Sequence, residues 1–507
     1  MTMVSRVFGL LRDIVFARFF GATDGADAFF VAFKIPQFLR RLFAEGAFAQ
    51  AFVPVLSAYR RDQPIEAVRA LINAVCGVLG GSLFLIVGLV VLAAPLVTLL
   101  FAPGFVDQPD KLQLTTELLR ITFPYLLLIS LTGFAGAILN SYDRFLVPAI
   151  TPVLLNLSLI GFAVWVSPLM NQPVFALAWA VVFAGCLQLL FQLPFLHRLD
   201  LLPAPVWDWQ HAGVQRVVTL MLPAIFGVSV SQINLLLDSV LASFLPGGSV
   251  SWLYYSDRLA ELPLGVFGIA IATVILPVLS RLPEQHSHEH FAAMLDWAMR
   301  CIAVVALPAT AALIVLGEPI LYALFQYGAT TVLDVQMASL SLAAYALGLF
   351  AFMSIKVLAT GFYSRQDMRT PVRIGIIAMI ANMALNLVFV AVLHTVWHIG
   401  HVGLALATAA SAFLNAALLY RGLGRAMHRP LLTPMFWRLL LKIAVAAMLM
   451  VTGLVAMQPA AEFWAQAAGL VRVGWVLMLC LAGLSVYVLS LLLLGVRIHH
   501  FRDGKLP

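Results

Sequence analysis

Long apolar stretches, each bounded by charged residues, proline or glycine, dominate this chain of 507 residues. A stretch of about 20 apolar residues forms a helix that is long enough to cross the hydrocarbon core of a bilayer. The chain is 62% hydrophobic and only 10% charged, and its mean hydropathy is +1.00. Such a chain has too few polar residues to cover a water-facing globule. The sequence therefore predicts an all-α polytopic membrane protein.

Fourteen transmembrane helices are predicted from these stretches, and the charges of the loops orient them. The predicted spans are approximately 1–20, 27–59, 67–101, 113–140, 146–167, 173–196, 213–245, 249–280, 291–317, 334–362, 371–393, 402–424, 436–457 and 469–496. With this assignment, one side of the membrane has only Arg18, Lys111, Arg120 and Arg472, in connections or near the ends of spans, and nineteen other lysines and arginines lie on the opposite side. Because cytoplasmic loops carry the excess of Lys and Arg, both termini are predicted to be cytoplasmic.

An internal repeat predicts the architecture. The segment AFVPVLSAYRR resembles VILPVLSRL, and YDRFLVP resembles SRQDMRTP. Pro54 lies 223 residues before Pro277, and Pro148 lies 223 residues before Pro371, so one offset aligns two distant motifs. Each repeat holds six spans, and an even number gives parallel repeats with a cavity expected between them.

The predicted organisation has three parts. An N-lobe at 1–200 holds spans one to six, and a C-lobe at 201–430 holds spans seven to twelve. Two extra helices, spans 13 and 14, and a cytoplasmic tail occupy 431–507. The two lobes are expected to surround a central cationic cavity.

Charged side chains inside the predicted spans indicate what that cavity binds. Each charge at a helix centre costs roughly 2.5–3.5 kcal/mol on insertion scales, so such residues usually face water, a partner or a ligand. Arginine suits a diphosphate, because its planar fork forms bidentate, charge-assisted hydrogen bonds. Ion pairing that merely holds helices together is the alternative interpretation for any single pair. The bases are Arg6, Arg12, Lys34, Arg40, Arg41, Arg258 and Lys356, and the acids are Asp13, Asp27, Glu45, Asp238, Asp257 and Glu261.

The choice between Arg40 and Arg41 stays open. On an ideal helix, Asp27, Lys34, Arg41 and Glu45 fall within about 40° of one another and form one polar stripe. Arg40 then points elsewhere, although a kink at Pro36 could rotate the lower half of the helix towards the cavity.

Several segments resemble one known family. They are SRVFGLLRDIVFARFFG, DAFFVAFKIP, LRRLFAEGAFAQAFVPVLSAY, SVSWLYYSDRLAELP and GFYSRQDMRTPV. Together they are similar to the MurJ (MviN) lipid II flippases of the MOP exporter superfamily, over essentially the whole chain. The resemblance implies export of undecaprenyl-diphosphate-linked peptidoglycan precursor, lipid II, across the bacterial inner membrane for cell wall synthesis. It also implies alternating access of two six-helix lobes and a lipid-binding groove formed by spans 13 and 14.

The resemblance also implies roles for individual residues. By position, Arg6, Arg12, Arg40 and Arg258 match the cavity arginines of the family, which favours Arg40 over Arg41. Asp27 matches an essential acid near the outer gate. Polar residues that support the cavity or the gate are expected at Ser5, Asp13, Lys34, Glu45, Asp257 and Glu261.

A sodium site is a further expectation, since some family members bind Na⁺ between spans 7, 11 and 12. Asp238, Asn382, Asn386 and Thr408 could supply its oxygen ligands. Interhelical hydrogen bonding is the favoured interpretation of these residues, because only one of the four is a carboxylate. No other cofactor is expected.

Two other classes of function stay open. The chain could export another polyprenyl-linked saccharide or a drug, or it could be a membrane enzyme that acts on such a lipid. An enzyme would need an outer catalytic surface, which the short connections at 168–172 and 246–248 cannot build.

We expect a monomer that contacts membrane lipids and the cell wall synthesis and division machinery, without nucleic acid. Family members carry further residues before the position of Met1, so a translation start upstream is also expected.

Overall fold

The computed structural model describes residues 2–41, 48–280, 287–427 and 431–497, and all regular structure in these ranges is helical. The first ten α-helices are α1 (Thr2–Phe20), α2 (Asp24–Arg40), α3 (Phe48–Asp62), α4 (Ile65–Leu92), α5 (Ala94–Phe101), α6 (Pro109–Thr122), α7 (Tyr125–Ser141), α8 (Leu146–Gly161), α9 (Val174–His197) and α10 (Ala212–Ala242). The next ten are α11 (Ser249–Pro263), α12 (Ile269–Ser280), α13 (Ser287–Phe325), α14 (Val332–Leu347), α15 (Leu349–Tyr363), α16 (Arg369–Trp397), α17 (Gly400–Met427), α18 (Pro434–Met457), α19 (Ala461–Gln466) and α20 (Gly469–Leu493).

Eleven helical segments in the described ranges are long and apolar enough to cross a membrane. Some of them join two consecutive helices, as α6 and α7 do in the segment Pro109–Ser141. The prediction of an all-helical, multi-pass membrane protein is confirmed. The eleven segments are Ile65–Leu92, Pro109–Ser141, Leu146–Leu169, Val174–His197, Ser249–Ser280, Glu289–Phe325, Val332–Tyr363, Arg369–Trp397, Gly400–Met427, Pro434–Met457 and Gly469–Leu493.

The other three predicted spans fall outside these eleven segments of the described residues. The span at 1–20 is α1, which carries Arg6, Arg12, Asp13 and Arg18 within 19 residues. The span at 27–59 contains α2 (Asp24–Arg40) and α3 (Phe48–Asp62), and 42–47 lie outside the described residues. The span at 213–245 corresponds to α10, a helix of 31 residues.

The described chain divides into two compact units, each with its own interior. The first consists of Met1–Ser251 together with Gly328–Thr330. One hydrophobic core of this unit lies where α3 meets α4, α7 and α10. Phe52 and Phe134 are almost completely buried there, and their ring centroids lie 5.1 Å apart. Helix α10 therefore packs on helices of the first half of the chain, although it follows the boundary predicted at residue 200.

The second unit consists of Trp252–Tyr327 and Thr331–Pro507. Helix α13, which has 39 residues, packs against α14, α15, α18 and α20. Buried Arg472 on α20 closes the end of α13, because its guanidinium donates to the carbonyl oxygens of Tyr322 and Gln326 at 3.3 and 3.1 Å. The last carbonyls of a helix have no partner inside the helix. This contact satisfies that of Tyr322, in the last turn of α13, and that of Gln326, which directly follows the helix.

Two glycines of α4 leave room for the segment that follows α9. A Cβ atom at Gly77 would overlap the backbone of Val206, and one at Gly81 would overlap the ring of Trp207. The main chain runs this close because Val206 donates its N–H to the carbonyl of Asn73 at 3.1 Å. The small residues therefore fix the path of the connection between α9 and α10.

We expect Gly77→Ala to lower the free energy of unfolding by about 1–3 kcal/mol, because the added methyl group must displace backbone. Gly88 lies on the same helix, and a Cβ there would meet nothing within 4 Å. Gly88→Ala should therefore be neutral or stabilise the helix by up to about 1 kcal/mol. Thermal unfolding of the two purified variants in detergent compares them, and equal unfolding temperatures would contradict the close approach at Gly77.

Candidate functional site

Arg12, in the middle of α1, is a buried charge of the first unit. Its side chain is 11% exposed. Nε and Nη2 donate to Oδ1 of Asp13 at 2.9 and 2.6 Å, and Nη1 donates to Oδ1 of Asn156 at 3.0 Å. The guanidinium carbon also lies 5.6 Å from the ring centroid of Phe16. A buried guanidinium held along two edges is pre-organised to bind an anion.

The sequence of α1 explains why Asn156 can reach this arginine. Ser5, Gly9 and Arg12 follow the helical spacing that places residues on one face, and α1 packs against α8, which carries Asn156. The Asn156 amide lies over Gly9 and donates to the carbonyl of Ser5 at 3.3 Å. The buried amide thus bridges two turns of α1.

The other predicted residues of α1 and α2 lie near the surface of the unit. Ser5, Arg6, Lys34, Arg40 and Arg41 are all half-buried. Within the described ranges, Arg6 makes no hydrogen bond or ion pair, so its charge is available to a ligand. Pro36 lies inside α2. The question of Arg40 or Arg41 stays open, and Glu45 lies outside the described residues.

Asp27, at the start of α2, accepts four hydrogen bonds, and its side chain is 1% exposed. It accepts from the N–H groups of Gly248 and Ser251 at 2.8 and 2.9 Å and from the Ser251 hydroxyl at 2.6 Å. Lys111 on α6 donates to it at 3.1 Å. Because Ser251 lies in the first turn of α11, Asp27 caps a helix that begins 222 residues later in the chain.

Lys111 connects Asp27 to a second acid. Its ammonium donates to Asp24 at 2.7 Å and lies 4.6 Å from the ring centroid of Phe105, while its side chain is only 4% exposed. These residues, with Gly248 and Ser251, form what we call the Asp27 network. A buried ammonium beside a buried carboxylate leaves neither charge uncompensated.

Replacing Lys111 with methionine should lower the free energy of unfolding by about 3 kcal/mol, because the Asp27 carboxylate would stay buried without its counter-ion. Arg61→Met is the matched control, since Arg61 and Asp62 form a pair in which both side chains are exposed, at 79% and 51%. Exposed pairs contribute little. Thermal unfolding should therefore separate the two variants, and a loss of stability in Arg61→Met as large as in Lys111→Met would count against the network.

The short segment Gly328–Thr330 contacts the last turn of α1. The Thr330 hydroxyl donates to the carbonyl of Ala17 at 2.7 Å, and the Ala329 N–H donates to the carbonyl of Arg18 at 2.9 Å. Both carbonyls belong to the last turn of α1. Residues from the second half of the chain therefore contact α1 where that helix ends.

In the second unit, the predicted arginine lies on α11. Nη1 of Arg258 is 3.4 Å from the carboxylate of Glu261, and their side chains are 33% and 53% exposed. The guanidinium carbon lies 5.1 Å from the ring centroid of Tyr254, and Asp257 is half-buried. Arg258 is thus a partly exposed cation that a loose ion pair holds beside an aromatic ring.

The residues of the predicted sodium site divide between the two units. Asp238 is half-buried on α10 in the first unit, and the other three lie on α16 and α17 in the second. Asn382 donates to the hydroxyls of Thr408 and Ser411 at 3.5 and 3.3 Å and accepts from Asn386 at 2.9 Å. These bonds join α16 to α17, which is the arrangement that interhelical hydrogen bonding would give. The described residues contain no group of three or more His, Cys, Asp or Glu side chains suited to a metal, and the sodium site stays a prediction.

Three residues of these networks were not predicted as site residues from the sequence. Asn156 is a lone amide in a predicted span, which is typical of a helix-packing group. Ser251 is a neutral residue close to Gly248 and Ser249, and Lys111 was counted as an outer loop charge. The intramembrane charge pattern did point to Arg12 and Asp27 themselves. It could not identify their partners, because those lie 84–224 residues away in the chain.

The family model for the lipid II flippase MurJ matches residues 16–482. A probable lipid II flippase MurJ of Vibrio cholerae is 48% identical over 505 residues, which cover 98% of this chain and 95% of the relative. One of Haemophilus influenzae is 46% identical over 515 residues, with 99% of each covered. The lipid II flippase MurJ of Burkholderia cenocepacia is 41% identical over 89% of this chain and 86% of its own.

Solved structures agree with this assignment. A lipid II flippase MurJ in an inward closed conformation has a TM-score of 0.80 and 25% identity, over 99% of this chain and 98% of that one. An inward-facing MATE multidrug transporter of the MOP superfamily has a TM-score of 0.67 at 14% identity, over 84% of this chain and 94% of that one, which is a likeness of fold alone. The chain therefore belongs to the MurJ lipid II flippase family, a family of transporters rather than enzymes.

Proposed function

We propose that this chain moves lipid II, the undecaprenyl-diphosphate-linked sugar-peptide of cell wall synthesis, from the inner to the outer leaflet of the bacterial cytoplasmic membrane. Membership of the flippase family supports the cargo. The observation in the structure that carries the proposal is the buried guanidinium of Arg12, held by Asp13 and Asn156. A fixed, partly desolvated arginine suits a diphosphate better than it suits a neutral or cationic cargo.

The proposed transport cycle uses two lobes of six spans each, with α18 and α20 as spans 13 and 14. In this account α1, α2 with α3, and α10 are spans one, two and seven, which brings the total to fourteen. The diphosphate enters from the cytoplasmic side and pairs with Arg6, Arg12, Arg40 and Arg258, while the polyprenyl tail stays in the bilayer. Neutralising these charges lets the lobes close around the head group and reopen towards the outer side.

The Asp27 network is the outer gate in this account. With both termini in the cytoplasm, α1 ends and α2 begins on the outer side, which is where Asp27 caps the start of α11. Opening outward then requires Asp27 to release the backbone N–H groups of Gly248 and Ser251. Lys111 donates to Asp27 from α6 and can stay with it during that movement.

Reconstitution tests the cargo. Purified protein in liposomes that hold fluorescent lipid II should expose the label to an impermeant quencher faster than protein-free liposomes do. Liposomes with the same protein and a labelled neutral polyprenyl alcohol are the control, because that lipid lacks the diphosphate. Lipid II that moves no faster with the protein than without it would contradict the proposal.

Transport should also depend on the membrane potential. With the cytoplasm negative, outward movement of an anion gains up to about 2.3 kcal/mol per charge per 100 mV. We therefore expect a valinomycin-imposed potential, negative on the side from which the lipid starts, to speed flipping in the same liposomes. The reversed potential should slow it, and equal rates under both would exclude the field as a driving force.

A further inference from the structure

We infer that Asn156 is a positioning residue for cargo binding, which holds the guanidinium of Arg12 where a diphosphate can reach it. This inference rests on the proposed function, because it takes Arg12 as a ligand of the cargo. An isolated asparagine in a predicted span is ordinarily read as a group that helps two helices to pack. The contacts of Asn156 point to a more specific role.

The amide uses both of its ends on one face of α1. Its oxygen accepts from Nη1 of Arg12 at 3.0 Å, and its nitrogen donates to the carbonyl of Ser5 at 3.3 Å. Its nitrogen also lies 3.9 Å from the point that a Cβ of Gly9 would occupy, so a larger residue at that position would meet the amide. The asparagine is 6% exposed, and burial restricts its own rotamers. Arg12 is thereby held from the edge opposite Asp13.

The neutral charge of the amide matters as much as its geometry. Asp13 already balances the charge of Arg12 through two hydrogen bonds, of 2.9 and 2.6 Å. A second carboxylate beside this pair would make the local net charge negative and repel a diphosphate. An amide supplies a hydrogen-bond acceptor without that charge. Asparagine thus orients the arginine without adding a negative charge that would repel an anion.

Another buried amide in the same unit provides a matched comparison. Gln188 on α9 is 2% exposed, donates to the carbonyl of Thr151 at 2.7 Å, and accepts from the Tyr125 hydroxyl at 3.4 Å. Its hydrogen bonds join helices, and neither of these partners is charged. The contacts of Gln188 are therefore those expected of a buried amide that serves packing alone.

The experiment measures lipid II affinity and unfolding temperature on the full-length purified chain in nanodiscs. Asn156→Leu should weaken lipid II binding about three- to tenfold, because Arg12 must then be ordered at the moment of binding. Asn156→Asp should weaken it by more than about tenfold through repulsion, although it keeps an acceptor for Arg12. Gln188→Leu should lower the unfolding temperature and leave the affinity unchanged. In an Arg12→Ala background, Asn156→Leu should have no further effect on affinity.

Each other outcome has a definite meaning. If Asn156 serves packing alone, Asn156→Asp should bind lipid II at least as well as Asn156→Leu does. That result would overturn the inference. It would equally be overturned by an Asn156→Leu effect that persists in full without Arg12, or by normal affinity in Asn156→Leu while Arg12→Ala binds weakly. If the parent chain does not bind lipid II, the proposed function fails and this inference fails with it.

Discussion

Alanine in place of Asp27 is expected to abolish transport and to speed amide hydrogen exchange at Gly248 and Ser251. The carboxylate accepts four hydrogen bonds, two of them from these N–H groups. Removing it leaves buried donors without an acceptor, at a cost of about 1–3 kcal/mol each. The Lys111 ammonium would also lose one of its two counter-ions. We therefore expect exchange at least about tenfold faster across 248–251, since each 1.4 kcal/mol is a factor of ten.

Asp110→Ala is the matched control for this variant. Asp110 is an exposed acid at the start of α6, next to Lys111 in sequence. Its removal should leave both transport and exchange unchanged. Unchanged exchange at 248–251 in Asp27→Ala would show that the capping of α11 does not depend on this carboxylate, and the proposed outer gate would then have to lie elsewhere.

Removal of Arg12 is expected to produce the second large effect. Arg12→Ala should weaken lipid II binding by roughly 30- to 1000-fold, which corresponds to about 2–4 kcal/mol for truncating one partner of a desolvated charge pair. The lipid II affinity of Arg12→Lys should lie between those of the parent and Arg12→Ala, because lysine keeps the charge but loses the planar fork. Transport in liposomes should decline in the same order as the affinity.

Arg18→Ala controls for the loss of a positive charge from α1. Arg18 lies in the last turn of the same helix and is exposed. Its removal changes the net charge by the same amount and should leave lipid II affinity within about twofold of the parent, because exposed charges are screened by salt. Equal losses of affinity in Arg12→Ala and Arg18→Ala would mean that the effect comes from general electrostatics and not from a site at Arg12.

The fold class could be predicted from the sequence because membrane insertion imposes strong, local constraints. Stretches of apolar residues with the length of a bilayer give the spans directly. The region at 27–59 is apolar enough to suggest one long span. The structure describes α2 and α3 within it, and 42–47 lie outside the described residues. The helical wheel from Asp27 to Glu45 crosses that gap, so the polar stripe stays a prediction.

Residue type identified the charged members of the candidate site, since intramembrane Arg and Asp are costly wherever they occur. Their coordination could not be predicted in the same way. Two of the donors to Asp27 are backbone N–H groups, which every non-proline residue possesses, so nothing in the sequence of 248–251 marks them. Lys111 and Arg472 were both assigned to outer loops by charge, yet both are buried with carboxylate or carbonyl partners.

The most direct test is the amount of lipid II in the outer leaflet of bacterial cells that have been depleted of their own flippase. The cells would express the parent chain, Arg12→Ala or Arg258→Ala at matched levels in the membrane. We predict that the parent restores outer-leaflet lipid II and that neither variant does. If the inserted parent fails to restore outer-leaflet lipid II, lipid II is not the cargo. If Arg12→Ala restores it as well as the parent does, the assignment of the cationic site to Arg12 is wrong.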